Sequence, residues 1–425
     1  MLTLYRIITF LIFFILFPYT YIAYLLGSKK WGNRLGYHEK SNGNRSRGEV
    51  VWLHASSMGE VKVVSILVNQ LAALDRNLKF YITVMTETGF KSAQGMAGSK
   101  TTVGFMPLDY RLAIRRFIRR VKPSAAIFIE TEIWPNTIIN LGKAAVPVFL
   151  ANGRLSDKAA SRYRLVKSGM AGILSQYARL IVQSEADKER YISIGAEPGK
   201  IDVIGSLKFD APIADISPAK QKELRAKFPF PPGARLFTAG STREGENQII
   251  LKAYRDLMTD FSEIRLILVP RHLDNLDDIC RMAADLNLSC ARFSGIGQQS
   301  GDPSAIVVDQ MGILNDIYSI SDIAFVGGTL VDIGGHNILE PVWAGIPVLY
   351  GPSIFNVKDS SEYVLEHNFG AMVADEEALL ENLRLFFRGE KKYIKKSTAS
   401  GENSRSYKTA RIILNHLSEK WKKSG

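Results

Sequence analysis

Several short stretches of this sequence hold residues that could do chemistry where a strand hands over to a helix. Ser56-Ser57-Met58-Gly59-Glu60 follows the apolar run Val50–Ala55 and opens a helical pattern. A carboxylate at that position can take a proton from a substrate hydroxyl, and a helix N-terminus favours its ionised form at neutral pH. The same spacing, Ser57-x-x-Glu60, is also an ordinary capping box, so the local sequence leaves both readings open. Further along, the run Ile323–Gly327 ends in Gly328-Thr329, and Gly334-Gly335-His336-Asn337 opens another helix. Bare backbone N–H groups at such a turn suit a phosphate. Glu340, one turn in, can accept hydrogen bonds from ribose hydroxyls, although Asn337-x-x-Glu340 is equally compatible with capping. Pro270-Arg271-His272 closes the run Ile264–Val269, and Arg271 offers a fixed charge suited to phosphate. The 6 histidines show no metal spacing, and Cys280 and Cys290 read as buried or inert.

The elements that must position these residues alternate between apolar β-rich runs and helix-length stretches. Runs at Val50–Ala55, Phe80–Met85, Ala125–Glu130, Val146–Ala151 and Arg179–Gln183 form one set. Arg235–Ala239, Ile264–Val269, Ala305–Asp309, Ile323–Gly327 and Ile346–Tyr350 form a second, with helical stretches such as Glu60–Leu74 and Gln248–Met258 between runs. This alternation predicts parallel sheets, and nearly continuous apolar runs predict strands covered on both faces. The expected architecture is two doubly wound α/β domains facing a cleft, joined by the Pro/Ala-rich stretch Asp210–Ala219. The expected divisions are residues 1–28, 29–212, 213–404 and 405–425.

The first division is an anchor. Ile7–Leu26 is uncharged and long enough to cross a hydrocarbon layer as a helix, with Tyr19, Tyr21 and Tyr24 crowding its C-terminal end. Lys29, Lys30, Arg34, Lys40, Arg45 and Arg47 follow against the single acid Glu39, which places the rest of the chain in the cytoplasm. A full span and a helix lying in the interface both fit.

Composition narrows the chemistry. At 425 residues with 46% hydrophobic and 23% charged residues, the chain can bury two or three cores and is not disordered. Two cysteines exclude a disulfide-stapled fold. A net charge of +12 points to an acidic partner, such as an anionic membrane face or a phosphorylated substrate. Arg111–Lys122 sets Ile114, Phe117, Ile118 and Val121 on one helical face and Arg111, Arg115 and Arg119 on another, which suits a solvated face or anionic lipid. The tail 388–423 is basic too, with Ala410, Ile413, Leu417 and Trp421 sharing a face. Neither a P-loop, a G-x-S-x-G elbow nor an H-E-x-x-H motif occurs. Gly295-Ile296-Gly297 with Gly301 has the wrong spacing for a dinucleotide fingerprint. No Asp-x-Asp occurs, so no metal and no cofactor is expected.

Five blocks, in order, carry a family resemblance. They are Trp52-Leu-His54-Ala-Ser56-Ser57-Met-Gly59-Glu60, Glu130-Thr-Glu132-Ile-Trp134-Pro135-Asn136, Gly205-Ser-Leu-Lys208-Phe-Asp210, Val269-Pro-Arg271-His272 and Gly334-Gly-His-Asn337-Ile-Leu-Glu340. With the N-terminal anchor they make the chain similar to the bacterial 3-deoxy-D-manno-octulosonic acid (Kdo) transferases of lipopolysaccharide assembly. The resemblance implies a GT-B glycosyltransferase of the inner membrane's cytoplasmic face, inverting, with CMP-Kdo as donor and lipid IVA as acceptor. Anionic inner-membrane lipid is a further expected partner, and nucleic acid is not. By the same resemblance Glu60 is the general base. Pro270, Arg271, Met311, Gly312, Ile313, Asn337, Ile338, Leu339 and Glu340 hold CMP, and Glu130, Glu132 and Lys208 face the acceptor. The family usually shows Met-Gly-Glu where this chain has Met311-Gly312-Ile313. Two rivals keep much of the pattern: a GT-B enzyme using a nucleoside-diphosphate sugar on another membrane lipid, and a membrane-tethered nucleotide-binding protein without turnover.

Overall fold

A computed structural model describes residues 2–39, 50–211, 217–296, 301–395 and 404–424. Lys40, Arg45 and Arg47, residues 212–216 of the 210–219 linker, Gly297, residues 396–403 of the basic tail and the Trp421 side chain lie outside the described residues. The chain divides into two compact units, Met1–Ala211 with Ser400–Gly425, and Pro212–Ala399.

The first unit is built on seven parallel strands: β1 Val50–Ala55, β2 Lys79–Val84, β3 Thr101–Phe105, β4 Ala125–Ile129, β5 Val148–Gly153, β6 Tyr177–Val182 and β7 Ile201–Val203. Their order is β3-β2-β1-β4-β5-β6-β7. The second sheet is also seven parallel strands: β8 Arg235–Thr242, β9 Ile264–Pro270, β10 Cys290–Arg292, β11 Ala305–Val307, β12 Ile323–Val326, β13 Val348–Tyr350 and β14 Gly370–Met372. It runs β10-β11-β9-β8-β12-β13-β14. Both units are doubly wound, as the alternating runs predict. The strands that apolar runs do not reveal, β3, β7, β10 and β14, are the four sheet edges. An edge strand has one bonded neighbour, so it can be short and partly polar: β3 reads Thr-Thr-Val-Gly-Phe, and the other three have three residues each.

In each sheet the first strand is central, and chain order reverses beside it, between β1 and β4 and between β8 and β12. Ligands of open α/β sheets bind outside the carboxyl ends of the strands at such reversals. The residues that end β1, β4, β8, β9 and β12 are therefore the ones to inspect.

Helix α1 (Leu2–Leu25) is apolar, and Tyr5–Leu25 is long enough to cross a membrane. Most of it faces outward, with Phe14 and Ile15 prominently exposed. A narrow stripe docks on the first unit. The Tyr5 hydroxyl donates to Asp109 Oδ2 at 2.7 Å, Asn136 Nδ2 donates to Thr9 Oγ1 at 3.2 Å, and the Phe13 ring stacks on Tyr110 at 3.9 Å. Helix α2 (Met58–Leu74) leaves β1. Helix α3 (Arg111–Val121) buries Ile114, Phe117, Ile118 and Val121 and exposes Arg111, Arg115 and Arg119, the division its periodicity predicts. Helix α4 (Pro135–Lys143) follows β4. A hollow of about 710 Å³ beside α3 and α4 is lined by Arg115, Arg116, Arg119, Lys122 and Lys143.

The last helix, α8 (Arg405–Ser424), belongs to the first unit although the second lies before it in sequence. Ala410, Ile413 and Leu417 are fully buried in one core with Val61, Val64 and Leu67 of α2. Asp210 holds its start, accepting from Ser406 N at 2.5 Å with the Arg405 guanidinium 3.8 Å away.

Candidate functional site

In the first unit, α2 begins at its N-cap Ser57, whose Oγ accepts from Glu60 N at 3.3 Å. Glu60 returns the interaction from its side chain: Oε1 accepts from Ser57 Oγ at 2.9 Å and Oε2 from Ser56 N at 2.8 Å. A capping box sends the carboxylate to the N–H of the cap residue itself. Here it bonds the N–H one residue earlier, at the carboxyl end of β1. Only 8% of Glu60 is exposed. Burial pushes its pKa above the ordinary value, the Ser56 and Ser57 hydrogen bonds oppose this, and the charges of Glu132 and Glu130 push it further up. Desolvation and two neighbouring carboxylates outweigh the two hydrogen bonds and raise the proton affinity, which favours a general base.

Glu130 follows β4 with φ 61°, and Asn152 near the end of β5 has φ 56°. Left-handed backbone at non-glycine residues costs about 1–3 kcal/mol each and clusters at functional sites. Lys208 Nζ lies 2.8 Å from Glu130 Oε1, and Asn152 Oδ1 accepts from Leu207 N at 2.9 Å, which fixes the short helical turn carrying Lys208. Glu132 Oε2 accepts from Trp134 Nε1 at 2.6 Å and sits 3.7 Å from His54 Nε2. Burial raises the Glu132 pKa, but the hydrogen bonds from His54, Ser56 and Trp134 together with the His54 charge outweigh it and hold the group below its usual value. His54 is fully buried in β1, its Nδ1 3.0 Å from both Thr83 oxygens. Residues 130–134 are a loop, and Pro135 then starts the following helix. The structure thus brings Glu60, Glu130 and Glu132 to the adjacent ends of β1 and β4, and Lys208 reaches Glu130 from the turn after β7. Asn152, which no motif singled out, ties two of them together.

In the second unit, Pro270 is the last residue of β9, and the Arg271 N–H donates to Thr242 O at 3.0 Å, leaving its side chain exposed. Met311, Gly312 and Ile313 lie in the segment after β11, with Met311 60% exposed. Asn337 Oδ1 accepts from Leu339 N at 3.2 Å, and its Nδ2 donates to Glu340 Oε1 at 3.3 Å. Ile338 and Leu339 have buried side chains, so a ligand could meet them only through the backbone.

The glycine turn differs in part from expectation. Three of its four N–H groups are not bare: Gly334 N donates to Ser353 Oγ at 2.9 Å, Gly335 N to Gly328 O at 2.7 Å and His336 N to Gly327 O at 3.2 Å. The helix it leads to, Leu339–Trp343, has only 5 residues and a correspondingly small dipole. What the glycines provide is close packing. Gly334 has φ +90°, and a Cβ there would lie 2.3 Å from the Phe355 ring.

A carboxylate that sequence reasoning passed over organises this region. Glu246 is fully buried at the start of helix α5 (Glu246–Asp260). It accepts from Arg243 N at 2.9 Å, Gly328 N at 2.7 Å, Thr329 N at 2.9 Å and Leu330 N at 2.9 Å. The signal was in the sequence. Ser241-Thr242-Arg243-Glu244-Gly245-Glu246 at the end of β8 parallels Ser56-Ser57-Met58-Gly59-Glu60 after β1. Equivalent carboxylates have opposite fates: Glu246 is saturated by backbone N–H donors, whereas Glu60 has two donors and a raised pKa.

Arg243 points its guanidinium at two imidazoles, with Nε 3.0 Å from His336 Nε2 and Nη1 2.5 Å from His272 Nε2. Burial and the charges of Arg243, Arg271 and His272 lower the His336 pKa to about 4, so it is a neutral acceptor. Among the described residues no group of three His, Cys, Asp or Glu could hold a metal. Cys280 and Cys290 are half-buried with thiols 3.3 Å apart. The Cys290 hydrogen bond outweighs burial and, with Arg292, lowers the Cys280 pKa to about 7.

Residues 29–211 match the sequence profile of "3-Deoxy-D-manno-octulosonic-acid transferase (kdotransferase)". The chain is 34% identical over 383 residues to a bifunctional glycosyltransferase/methyltransferase of Fusobacterium nucleatum, covering 88% of this chain and 59% of that one. It is 33% identical over 338 residues to the 3-deoxy-D-manno-octulosonic acid transferase of Haemophilus influenzae, covering 80% of this chain and 78% of that one. Among solved structures, UDP-GlcNAc 2-epimerase from Neisseria meningitidis bound to UDP-GlcNAc superposes with a TM-score of 0.57 at 13% identity, covering 88% of this chain and all of that one. At that identity the likeness concerns the fold alone, which is GT-B.

Proposed function

The chain belongs to the 3-deoxy-D-manno-octulosonic acid transferases, and on that footing we propose that it transfers Kdo from CMP-Kdo to lipid IVA with inversion at the anomeric carbon. The observation that carries the catalytic assignment is Glu60: a buried carboxylate at a strand end, held by two hydrogen bonds, with its proton affinity raised. Glu60 takes the proton of the attacking acceptor hydroxyl. The freed oxygen forms a bond to the Kdo anomeric carbon as the bond from that carbon to the phosphate oxygen breaks, and CMP departs with the electron pair. Pro270, Arg271, Met311–Ile313 and Asn337–Glu340 hold the nucleotide. With three of the four turn N–H groups committed inside the protein, the fixed positive charge of Arg271 is the natural stabiliser of the leaving phosphate. Lys208, paired with Glu130, faces the acceptor.

Supporting the lipid acceptor are the exposed apolar face of α1 and the basic hollow beside α3 and α4, a pairing suited to phosphorylated lipid in an anionic inner membrane. The catalytic units then lie on the cytoplasmic face. The test is mass spectrometry of products from lipid IVA and preformed CMP-Kdo. A product heavier by one or more Kdo residues supports the reading. Turnover with a nucleoside-diphosphate sugar in place of CMP-Kdo, or nucleotide binding without any product, overturns it.

A further inference from the structure

The second sheet reverses chain order between β8 and β12, and the two strand ends there are pressed together. A Cβ added at Gly327 would lie 2.5 Å from Thr242 Cα and 2.7 Å from Glu246 Oε2. Arg243 follows β8 directly, and its backbone N–H is pinned by the buried Glu246. The side chain is equally fixed, donating to His336 from the segment after β12 and to His272 from the segment after β9. Neither acceptor is a carboxylate. Arg243 has no ion-pair partner among the described residues, and the exposed Arg271 is close enough to depress the His336 pKa. The adjacent Thr242 is 2% exposed, and its Oγ1 is buried with no hydrogen-bond partner among the described residues. Two guanidiniums at adjoining strand ends, uncompensated by acid and flanked by an unused hydroxyl, are a site waiting for negative charge.

We infer that Arg243, with Thr242 Oγ1 beside it, forms an oxyanion-binding subsite for the donor, additional to Arg271. The inference rests on the donor reading above, because CMP-Kdo carries two oxyanions, a phosphate and a sugar carboxylate. Two separate guanidiniums match two separate anions. His336 contributes by staying neutral: it orients Arg243 by accepting from it without cancelling its charge. Glu246 holds the backbone so that the guanidinium is placed before any ligand arrives, which limits the ordering that binding requires.

The experiment uses the full-length chain and the variants Arg243→Gln and Arg243→Lys. Calorimetry with cytidine and CMP is paired with steady-state kinetics on preformed CMP-Kdo. If the subsite takes the phosphate, Arg243→Gln weakens CMP by about tenfold or more and leaves cytidine unchanged. If it takes the carboxylate, CMP affinity holds and KM for CMP-Kdo rises by about tenfold or more. Either result supports the inference, and Arg243→Lys should recover part of the loss, since it keeps the charge without the planar fork. Equal losses for cytidine and CMP would mean that Arg243 only braces the two histidines, and would overturn it. So would a folded Arg243→Gln chain with unchanged CMP affinity and KM. A parent chain that takes up no CMP overturns the donor reading and this subsite together, so the two failures are told apart.

Discussion

At the scale of single residues, Glu60 sets the sharpest expectation. Glu60→Gln keeps the shape and can still meet Ser57, but it cannot accept a proton. Turnover should fall by ~10²–10⁴-fold while CMP affinity, assigned to the other unit, holds. Single-turnover kinetics and calorimetry check both, and near-normal turnover would move the search for a base to Glu130 or Glu132. The same carboxylate predicts a pH effect on stability. Because its folded pKa lies above the ordinary carboxylate value, its contribution is fully present in acid and is lost as pH rises through the folded pKa. Glu60→Gln removes that loss, so its thermal midpoint should gain on the parent's between acid and neutral pH. A variant midpoint that falls relative to the parent's over that interval would contradict the raised pKa. Sequence spacing located Glu60 but not its raised proton affinity, since burial, the largest cause, and the nearby carboxylates Glu130 and Glu132 in the loop after β4 depend on how distant segments pack. The local parallel at Glu246 was visible, but its fourfold saturation depends on the β12 segment and no spacing rule encodes it.

At the scale of elements, α8 shows what a basic tail can conceal. Its stripe Ala410, Ile413 and Leu417 is readable as a helical face, yet its partner, α2, lies at the opposite end of the sequence. Ile413→Asp places an unpaired charge in a fully buried position and should cost about 3–5 kcal/mol, enough to lower the denaturant midpoint of the first unit well below that of the second. Unchanged unfolding would show that α8 is not integral to that core. The anchor behaves differently. Deleting residues 1–28 removes the Tyr5 donor from Asp109, but Thr137 Oγ1 at 2.6 Å, Thr137 N at 2.7 Å and Asn136 N at 3.1 Å continue to hold that carboxylate. Circular dichroism should show an intact fold with a somewhat lower midpoint, and loss of the fold would make α1 part of the core. The elements legible in advance were those buried on both faces. The four edge strands were not, because an edge needs neither length nor an unbroken apolar run.

At the scale of the whole molecule, charge rather than metal is expected to carry the reaction: Arg271, Arg243 and Lys208 are cations fixed near strand ends. EDTA should leave the rate with preformed CMP-Kdo unchanged, and a loss restored by magnesium would refute this. The route of the chain has a different kind of consequence. The first unit opens the sequence, but α8, which completes its core against the helix carrying Glu60, is synthesised only after the whole second unit. On the ribosome, therefore, the second unit can close while the first still lacks a wall, reversing the usual order in which the earlier domain folds first. A nonsense or frameshift mutation within the codons of α8 would therefore strike the base-bearing unit while leaving the second unit whole.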